Sequence, residues 1–135
     1  MRNEGAAREH PLATLASRTV LVVEDEWLVR MELTHAFEDE GCIVLESASA
    51  DDALAKLRAH PEVTLLITDI RLTGALSGWD LAAQSRVIDP AIAVIYISAN
   101  PLIPERAVPG GLFIDKPAIM AKVVAAAKTL LVVRD

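Results

Sequence analysis

The sequence has few cysteines, few aromatic residues and no basic run. Its 135 residues include one cysteine, Cys42, and aromatic residues make up 4% of the chain. A single cysteine excludes an internal disulfide and any zinc site built from several cysteines. The formal net charge is -6, so a surface that binds nucleic acid or an anionic membrane is not expected.

Long hydrophobic runs are also missing. No stretch approaches the roughly 20 apolar residues of a membrane span, and the first eighteen residues lack the continuous apolar segment of a secretory signal. We therefore expect a cytoplasmic protein with no membrane partner. Because 53% of the residues are hydrophobic, one core can form. We predict a flexible extension at residues 1–18 and a single domain at residues 19–133.

Five apolar runs are continuous rather than alternating. This pattern is typical of parallel strands that are buried on both faces of a sheet. The predicted strands are Thr19 to Val23, Cys42 to Glu46, Val63 to Thr68, Ala91 to Ser98 and Gly111 to Ile114.

Segments with helical periodicity separate most of these strands. The predicted helices are Glu26 to Glu40, one that begins at Ser49 and ends before Pro61, one that begins at Ser77 and ends before Pro90, and Ala118 to about Val132. Between the fourth and fifth strands, ANPLIPERAVPGG contains three prolines and two glycines. Proline in a helix interior costs about 3 kcal/mol. The fourth helix is therefore expected to be short or missing.

Alternating strands and helices predict a doubly wound α/β fold with a five-stranded parallel sheet. The expected flavodoxin-like strand order is 2-1-3-4-5, with right-handed crossovers. In that order a ligand crevice lies at the carboxyl ends of the first and third strands.

Three consecutive acids, Glu24, Asp25 and Glu26, follow the first predicted strand. Two such charges about 5 Å apart repel by roughly 3 kcal/mol at an effective dielectric of about 20. A bound cation, a nearby lysine or arginine, a raised carboxyl pKa, or side chains that diverge into water would each relieve this repulsion.

Asp69 follows the third strand, at the same edge of the sheet as Glu24 and Asp25. Asp25, Asp69 and the main-chain carbonyl of Arg71 have the oxygen ligands that suit Mg²⁺, with Glu24 acting through a water. A bound cation would relieve the repulsion and attract phosphate oxygens.

Ser98 ends the fourth strand and Lys116 follows the fifth. With Asp69 as a nucleophile that accepts a phosphoryl group, Lys116 would pair with Asp69 before reaction and with a phosphoryl oxygen after it. The Ser98 hydroxyl would donate to another oxygen. The residues therefore predict a phosphoryl-transfer site.

Four motifs in this order resemble those of the response regulator receiver domain of two-component signalling. They are VEDE, TDIR, ISA and DKP, which follow the first, third, fourth and fifth strands, and the similarity spans Thr19 to Val132. The chain is most similar to a stand-alone bacterial response regulator.

The resemblance implies that a histidine kinase or a histidine phosphotransfer protein phosphorylates Asp69, with Mg²⁺ required. It also implies that the Ser98 hydroxyl moves toward the phosphoryl group, coupled to an aromatic switch at Phe113, and that the Lys116–Pro117 bond is cis. Such a protein is not an enzyme beyond catalysing its own phosphorylation and dephosphorylation.

Output would then occur by contact with an unknown downstream protein or by phosphate relay. Apolar residues on several sides of the last helix (Met120, Val124 and Leu131) suggest a homodimer contact.

Some features depart from the family, and other functions stay open. Receivers usually have proline where Thr73 stands. A degenerate receiver that acts only as a binding module is one alternative. An Mg²⁺-dependent aspartyl phosphatase of the haloacid dehalogenase type is another, although it needs a second acid where Arg71 stands. A flavodoxin-like FMN binder would need a phosphate loop where the acidic EDEW occurs.

Overall fold

The five predicted strands form one parallel sheet. The structure, a computed structural model, describes residues 14–99 and 102–134, without the side chains of residues 132–134. Within these residues the strand order is β2-β1-β3-β4-β5, and every neighbouring pair is parallel. The predicted topology is confirmed.

Helices connect most of the strands. The strands are β1 (Thr19–Val23), β2 (Ile43–Ser47), β3 (Val63–Asp69), β4 (Ala93–Ser98) and β5 (Leu112–Asp115). The helices are α1 (Trp27–Asp39), α2 (Ala50–Ala59), α3 (Gly78–Ile88) and α4 (Met120–Arg134). These bounds lie within two residues of those predicted.

Local sequence signals set the helix ends. The Ser49 hydroxyl accepts a hydrogen bond from the Asp52 N–H at the start of α2. Ser77 and Asp80 form a reciprocal capping box at the start of α3, which satisfies N–H groups that have no partner inside the helix. Gly41 follows α1 with a φ of 87°, a conformation that glycine adopts without strain.

The sheet separates two hydrophobic cores, because successive strand residues point to opposite faces. The first, here the α2–α3 core, includes Leu21, Leu54, Leu66, Trp79, Leu81, Val94 and Tyr96. The second, here the α1–α4 core, includes Val20, Leu33, Phe37, Leu65, Ile95, Val123 and Leu131.

The two edge strands are less buried than their sequences predicted. Ile43 in β2 is 57% exposed, and residues of β5 are half-buried or exposed. The expectation of burial on both faces was therefore wrong for β2 and β5, because an edge strand has a neighbour on one side only.

The connection between β4 and β5 contains a short turn in place of an α-helix. Among the described residues of this connection, 99 and 102–111, helical structure is limited to the 3₁₀ turn Pro104–Arg106. The Val108 N–H donates to the buried Tyr96 hydroxyl at 3.0 Å. The Tyr96 and Trp79 rings are in contact, with centroids 4.8 Å apart. The prediction of a short or missing helix is confirmed for these residues.

The packed domain begins before residue 19. Leu15 is 1% exposed and belongs to the α1–α4 core. The Ser17 N–H donates to the Gly41 carbonyl at 2.9 Å, and the Cys42 thiol donates to the Leu15 carbonyl at 3.4 Å. The predicted extension is thus too long by residues 14–18, and its residues 1–13 lie outside the described part.

One face of α4 packs against the sheet. Val123, Ala127 and Leu131 are buried, spaced four residues apart. Met120 and Val124 pack against the same α1–α4 core. Leu131 is buried in this core, and Met120 and Val124 are partly buried, so the homodimer contact suggested at these residues stays a prediction.

None of the helices in the described residues combines the length and the apolar character that crossing a membrane would require.

Candidate functional site

Three carboxylates meet at the carboxyl ends of two neighbouring strands. Glu24 and Asp25 follow β1, and Asp69 is the last residue of β3. One carboxylate oxygen from each lies within 4.8 Å of the others. Glu24 is 1% exposed and Asp69 8% exposed, whereas Asp25 faces solvent. These three residues are called the acid cluster below.

Lys116 approaches the acid cluster from the far side of β4. Its ammonium lies 3.0 Å from Asp69 Oδ2, 2.8 Å from Glu24 Oε1 and 3.2 Å from Glu26 Oε1. One cation therefore contacts three carboxylates, two of which are buried. This arrangement concentrates negative charge in a partly desolvated place.

Burial and the ion pair shift the pKa values of Glu24 and Lys116 in opposite directions. Burial raises the pKa of Glu24 to about 7, and the attraction of Lys116 offsets this only in part. Burial alone would lower the pKa of Lys116, but its contacts with Glu24 and Asp69 outweigh burial and raise it. Lys116 is therefore charged at neutral pH, and Glu24 gains or loses its proton easily there.

Backbone contacts fix the turn that carries Glu24. The Glu26 N–H donates to Glu24 Oε2 at 3.1 Å. The Arg30 guanidinium donates to the Glu24 main-chain carbonyl at 2.8 Å and pairs with Glu46 of β2 at 3.1 Å. Arg30 thus attaches the turn after β1 to the edge strand.

The start of α3 packs directly on the backbone of Asp69. A Cβ added to Gly78 would lie 2.0 Å from the Asp69 carbonyl oxygen, so no other residue fits there without movement. The Gly78 N–H donates to the Ile70 carbonyl at 2.7 Å, which closes the loop between β3 and α3. Within this loop the Arg71 N–H donates to Asp69 Oδ1 at 3.3 Å.

Ser98 and Phe113, the predicted switch residues, lie on neighbouring strands. Ser98 is buried at the end of β4, and its main-chain carbonyl accepts a hydrogen bond from the Lys116 N–H at 3.0 Å. Phe113 pairs with Tyr96 in the register of β4 and β5 and packs against the α2–α3 core. The Lys116–Pro117 bond is cis, as the sequence resemblance implied.

The structure brings together Glu24, Asp25, Asp69 and Lys116 as predicted, and it adds two residues to the site. Glu26 was predicted as the first residue of a helix and not as a site residue, but its carboxylate contacts Lys116. The Thr73 hydroxyl donates to Asp25 Oδ2 at 2.9 Å. The prominent sequence signal at Thr73 was its departure from the family pattern, which does not predict the contact.

The acid cluster fits a divalent cation by its chemistry. Carboxylate oxygens are the ligands that Mg²⁺ prefers. Glu24 Oε1 is buried, and the Lys116 ammonium that lies 2.8 Å from it also contacts Asp69 and Glu26. Carboxylates that share one lysine favour a further cation as a partner.

The repulsion predicted from the sequence is relieved in two ways at once. Lys116 neutralises part of the charge, and Glu24 has a raised pKa. These observations correspond to two of the four alternatives, and a bound cation would act in addition.

Comparisons with known proteins agree with this geometry. Residues 20–128 match the family model of the response regulator receiver domain. Nodulation protein W from Bradyrhizobium diazoefficiens is 37% identical over 103 residues, which are 73% of this chain and 44% of that protein. The chain thus spans less than half the length of this relative.

Two solved structures show similarity in both fold and sequence. A response regulator receiver protein from Sinorhizobium medicae has a TM-score of 0.84 and 27% identity, covering 90% of this chain and 100% of the other. A CheX–CheY–BeF₃–Mg²⁺ complex from Borrelia burgdorferi contains a chain with a TM-score of 0.78 and 26% identity, covering 85% and 90%.

Proposed function

We propose, given that this chain belongs to the response regulator receiver domain family, that it accepts a phosphoryl group on Asp69. The donor would be a histidine kinase or a histidine phosphotransfer protein. One observation carries the proposal: the Lys116 ammonium contacts both Asp69 and Glu24, two members of the acid cluster. Signal output would occur through contact with a downstream protein or by phosphate relay.

Asp69 would act as the nucleophile. Lys116 holds its Oδ2 and the Arg71 N–H holds its Oδ1, so the carboxylate is oriented before a donor arrives. An Asp69 oxygen attacks the phosphorus of a phosphohistidine, the new O–P bond forms, and the N–P bond breaks with its electron pair leaving on the imidazole. The product is an acyl phosphate.

Lys116 would bind at the site both before and after phosphorylation of Asp69. It pairs with the Asp69 carboxylate before reaction, and its ammonium lies close enough to bind a phosphoryl oxygen afterwards. Its raised pKa supports this role, because the side chain keeps its charge throughout.

The acid cluster would hold Mg²⁺ through Asp25, Asp69 and the Arg71 main-chain carbonyl, with Glu24 acting through a water. When bound, Mg²⁺ supplies positive charge that neutralises the oxygens of a transferring phosphoryl group. The Borrelia burgdorferi complex, which is named with Mg²⁺ and BeF₃, supports this choice of cation. We further propose that Ser98 and Phe113 change position when Asp69 is modified.

Exposed apolar residues beside the site would receive the phosphodonor. Trp27 and Leu28 at the start of α1 and Ile119 before α4 are exposed. A groove of about 440 Å³ between these two helix starts is lined by Val29, Met120 and other residues. We further propose that the protein acts in the bacterial cytoplasm.

Phosphorylation by acetyl phosphate tests the proposal. Intact-mass measurement should show the gain of one phosphoryl group in the presence of Mg²⁺ and no gain in EDTA. The Asp69→Asn variant should gain nothing, whereas Asp39→Asn, a matched change of an exposed aspartate on α1, should behave like wild type.

Other outcomes would support other functions. A chain that binds partners but gains no mass under any condition would be a degenerate receiver. Steady hydrolysis of phosphomonoesters would indicate an aspartyl phosphatase. Either result would contradict the proposal.

A further inference from the structure

Thr73 joins the two loops on either side of the acid cluster. Its hydroxyl donates to Asp25 Oδ2 at 2.9 Å, although the two residues are 48 positions apart in the chain. Thr73 lies in the loop between β3 and α3, and Asp25 lies in the turn between β1 and α1. The family usually has proline at this position, which carries no hydroxyl, so the contact belongs to this chain's own sequence.

The loop is built so that Thr73 faces Asp25. Leu72 and Leu76, on either side of Thr73, pack against the α2–α3 core. The Gly78 N–H closes the base of the loop by donating to the Ile70 carbonyl at 2.7 Å. With the loop attached at these points, the Thr73 side chain is held over the turn that carries Asp25.

Among the three acids of the cluster, Asp25 is the one whose orientation depends most on a hydrogen bond. Glu24 and Asp69 are buried and contact Lys116, but Asp25 is exposed. Repulsion from the two neighbouring carboxylates favours rotation of the Asp25 side chain into water. A hydrogen bond to one of its oxygens opposes that rotation.

We propose that Thr73 is a positioning residue for Asp25: its hydroxyl holds Oδ2, which keeps the Asp25 carboxylate close to Glu24 and Asp69. This inference rests on the proposed cation site. It goes further by assigning part of the cation affinity to a residue that need not touch the metal. Outer partners that orient metal ligands typically change affinity by about 10- to 100-fold when they are lost. Because this pair is exposed to water, we expect a value of about 10-fold.

The test measures binding of Mg²⁺ without any phosphodonor. Mg²⁺ is titrated into the metal-free protein, and the rise in the unfolding temperature is followed together with the fluorescence of the exposed Trp27, two residues from Asp25. Thr73→Val, which keeps the shape and removes the hydroxyl, should weaken the apparent affinity about 10-fold. Thr73→Ser should restore it to within about 2-fold of wild type.

The matched control is Thr129→Val on α4. Thr129 is exposed and its hydroxyl donates to the Ala125 carbonyl within the same helix, so its loss should leave Mg²⁺ affinity unchanged. A merely structural role of Thr73 would lower the unfolding temperature in EDTA and leave the Mg²⁺ affinity as it is in wild type.

The outcomes separate this inference from the proposed function. Saturable binding by wild type that is lost in Asp25→Asn but unchanged in Thr73→Val would overturn the role of Thr73 alone. Absence of Mg²⁺ binding by wild type would overturn both. Weaker binding in Thr73→Val with recovery in Thr73→Ser supports the inference.

Discussion

The Lys116 ammonium lies 3.0 Å from Asp69 Oδ2, although β3 and β5 are separated by β4 in the sheet. The lysine spans the end of β4 and anchors itself there, through the hydrogen bond from its main-chain N–H to the Ser98 carbonyl. Residues at the carboxyl ends of β1, β3 and β5 therefore share one ion-pair network.

Loss of the lysine should slow phosphorylation of Asp69. Lys116→Met removes the ammonium that contacts Asp69, so this group no longer neutralises the charge that develops on the transferring group. Removal of one such group typically costs about 100- to 1,000-fold in rate, and we expect at least about 100-fold. The measurement is the rate of mass gain with acetyl phosphate and Mg²⁺. Lys122→Met, at an exposed position of α4, serves as control, and equal rates for the two variants would contradict the role of Lys116.

The stability of the metal-free protein should decrease as the pH rises from 4.5 to about 7. Burial raises the pKa of Glu24 from its ordinary value of 4.5 to about 7. The folded state therefore binds this proton more readily than the unfolded state does. The free energy of unfolding falls over the interval in which only the folded state keeps the proton.

A neutral replacement isolates this effect. Glu24→Gln should remove the decrease and should raise the free energy of unfolding at pH 8 by about 3 kcal/mol, since the pKa is raised from 4.5 to about 7 and one pKa unit corresponds to about 1.4 kcal/mol. Urea denaturation in EDTA at several pH values measures both quantities. Glu38→Gln, an exposed change on α1, should keep the wild-type dependence. A Glu24→Gln protein with unaltered pH dependence would show that burial does not perturb this carboxyl.

Gly78→Ala should affect both stability and phosphorylation. The new Cβ would lie 2.0 Å from the Asp69 carbonyl oxygen and 2.8 Å from the Ile70 Cα, which are backbone atoms that cannot turn away. We expect a loss of about 3 kcal/mol or more, at the upper end of the cost of overpacking, together with slower phosphorylation of the displaced Asp69.

The control for this substitution is Gly110→Ala. Gly110 has a φ of +77° and no neighbour within 4 Å of an added Cβ. It should lose only about 1–2 kcal/mol from the left-handed backbone conformation and should be phosphorylated at the normal rate. Similar phosphorylation rates for the two variants would contradict the tight contact at Gly78.

Tyr96→Phe should weaken the connection between β4 and β5. The change removes the hydroxyl that accepts from the Val108 N–H, and an unsatisfied buried N–H costs about 1–3 kcal/mol. Urea denaturation should show this loss, and hydrogen exchange should show faster exchange at the Val108 amide. Unchanged exchange at Val108 would mean that the hydroxyl does not hold this segment.

The sequence was sufficient to predict the strand order and the residues of the acid cluster. Continuous apolar runs fix the number of parallel strands, and acids placed directly after β1 and β3 must meet at one edge of the sheet. The burial of β2 was not predictable in this way, because Ile43 is as apolar as a core residue although it lies at an edge. The inward face of α4 was not predictable either, because its sequence is apolar on several sides.

Contacts between loops were beyond the reach of the sequence pattern. The hydrogen bond from Thr73 to Asp25 depends on the path of the loop after β3, and no periodicity describes that path. The contact of Glu26 with Lys116 likewise depends on how far each side chain extends. The packing of Leu15 was missed because a single apolar residue in a polar segment gives no pattern.

The tight fit at Gly78 makes the end of β3 and the first turn of α3 one mechanical unit. Because Gly78 packs tightly on the Asp69 backbone, a displacement of that backbone would also move the neighbouring Trp79. The Trp79 indole would then press against the Tyr96 ring. Tyr96 in turn holds Val108. A change at Asp69 would therefore be transmitted through the two packed aromatic rings to the irregular connection between β4 and β5.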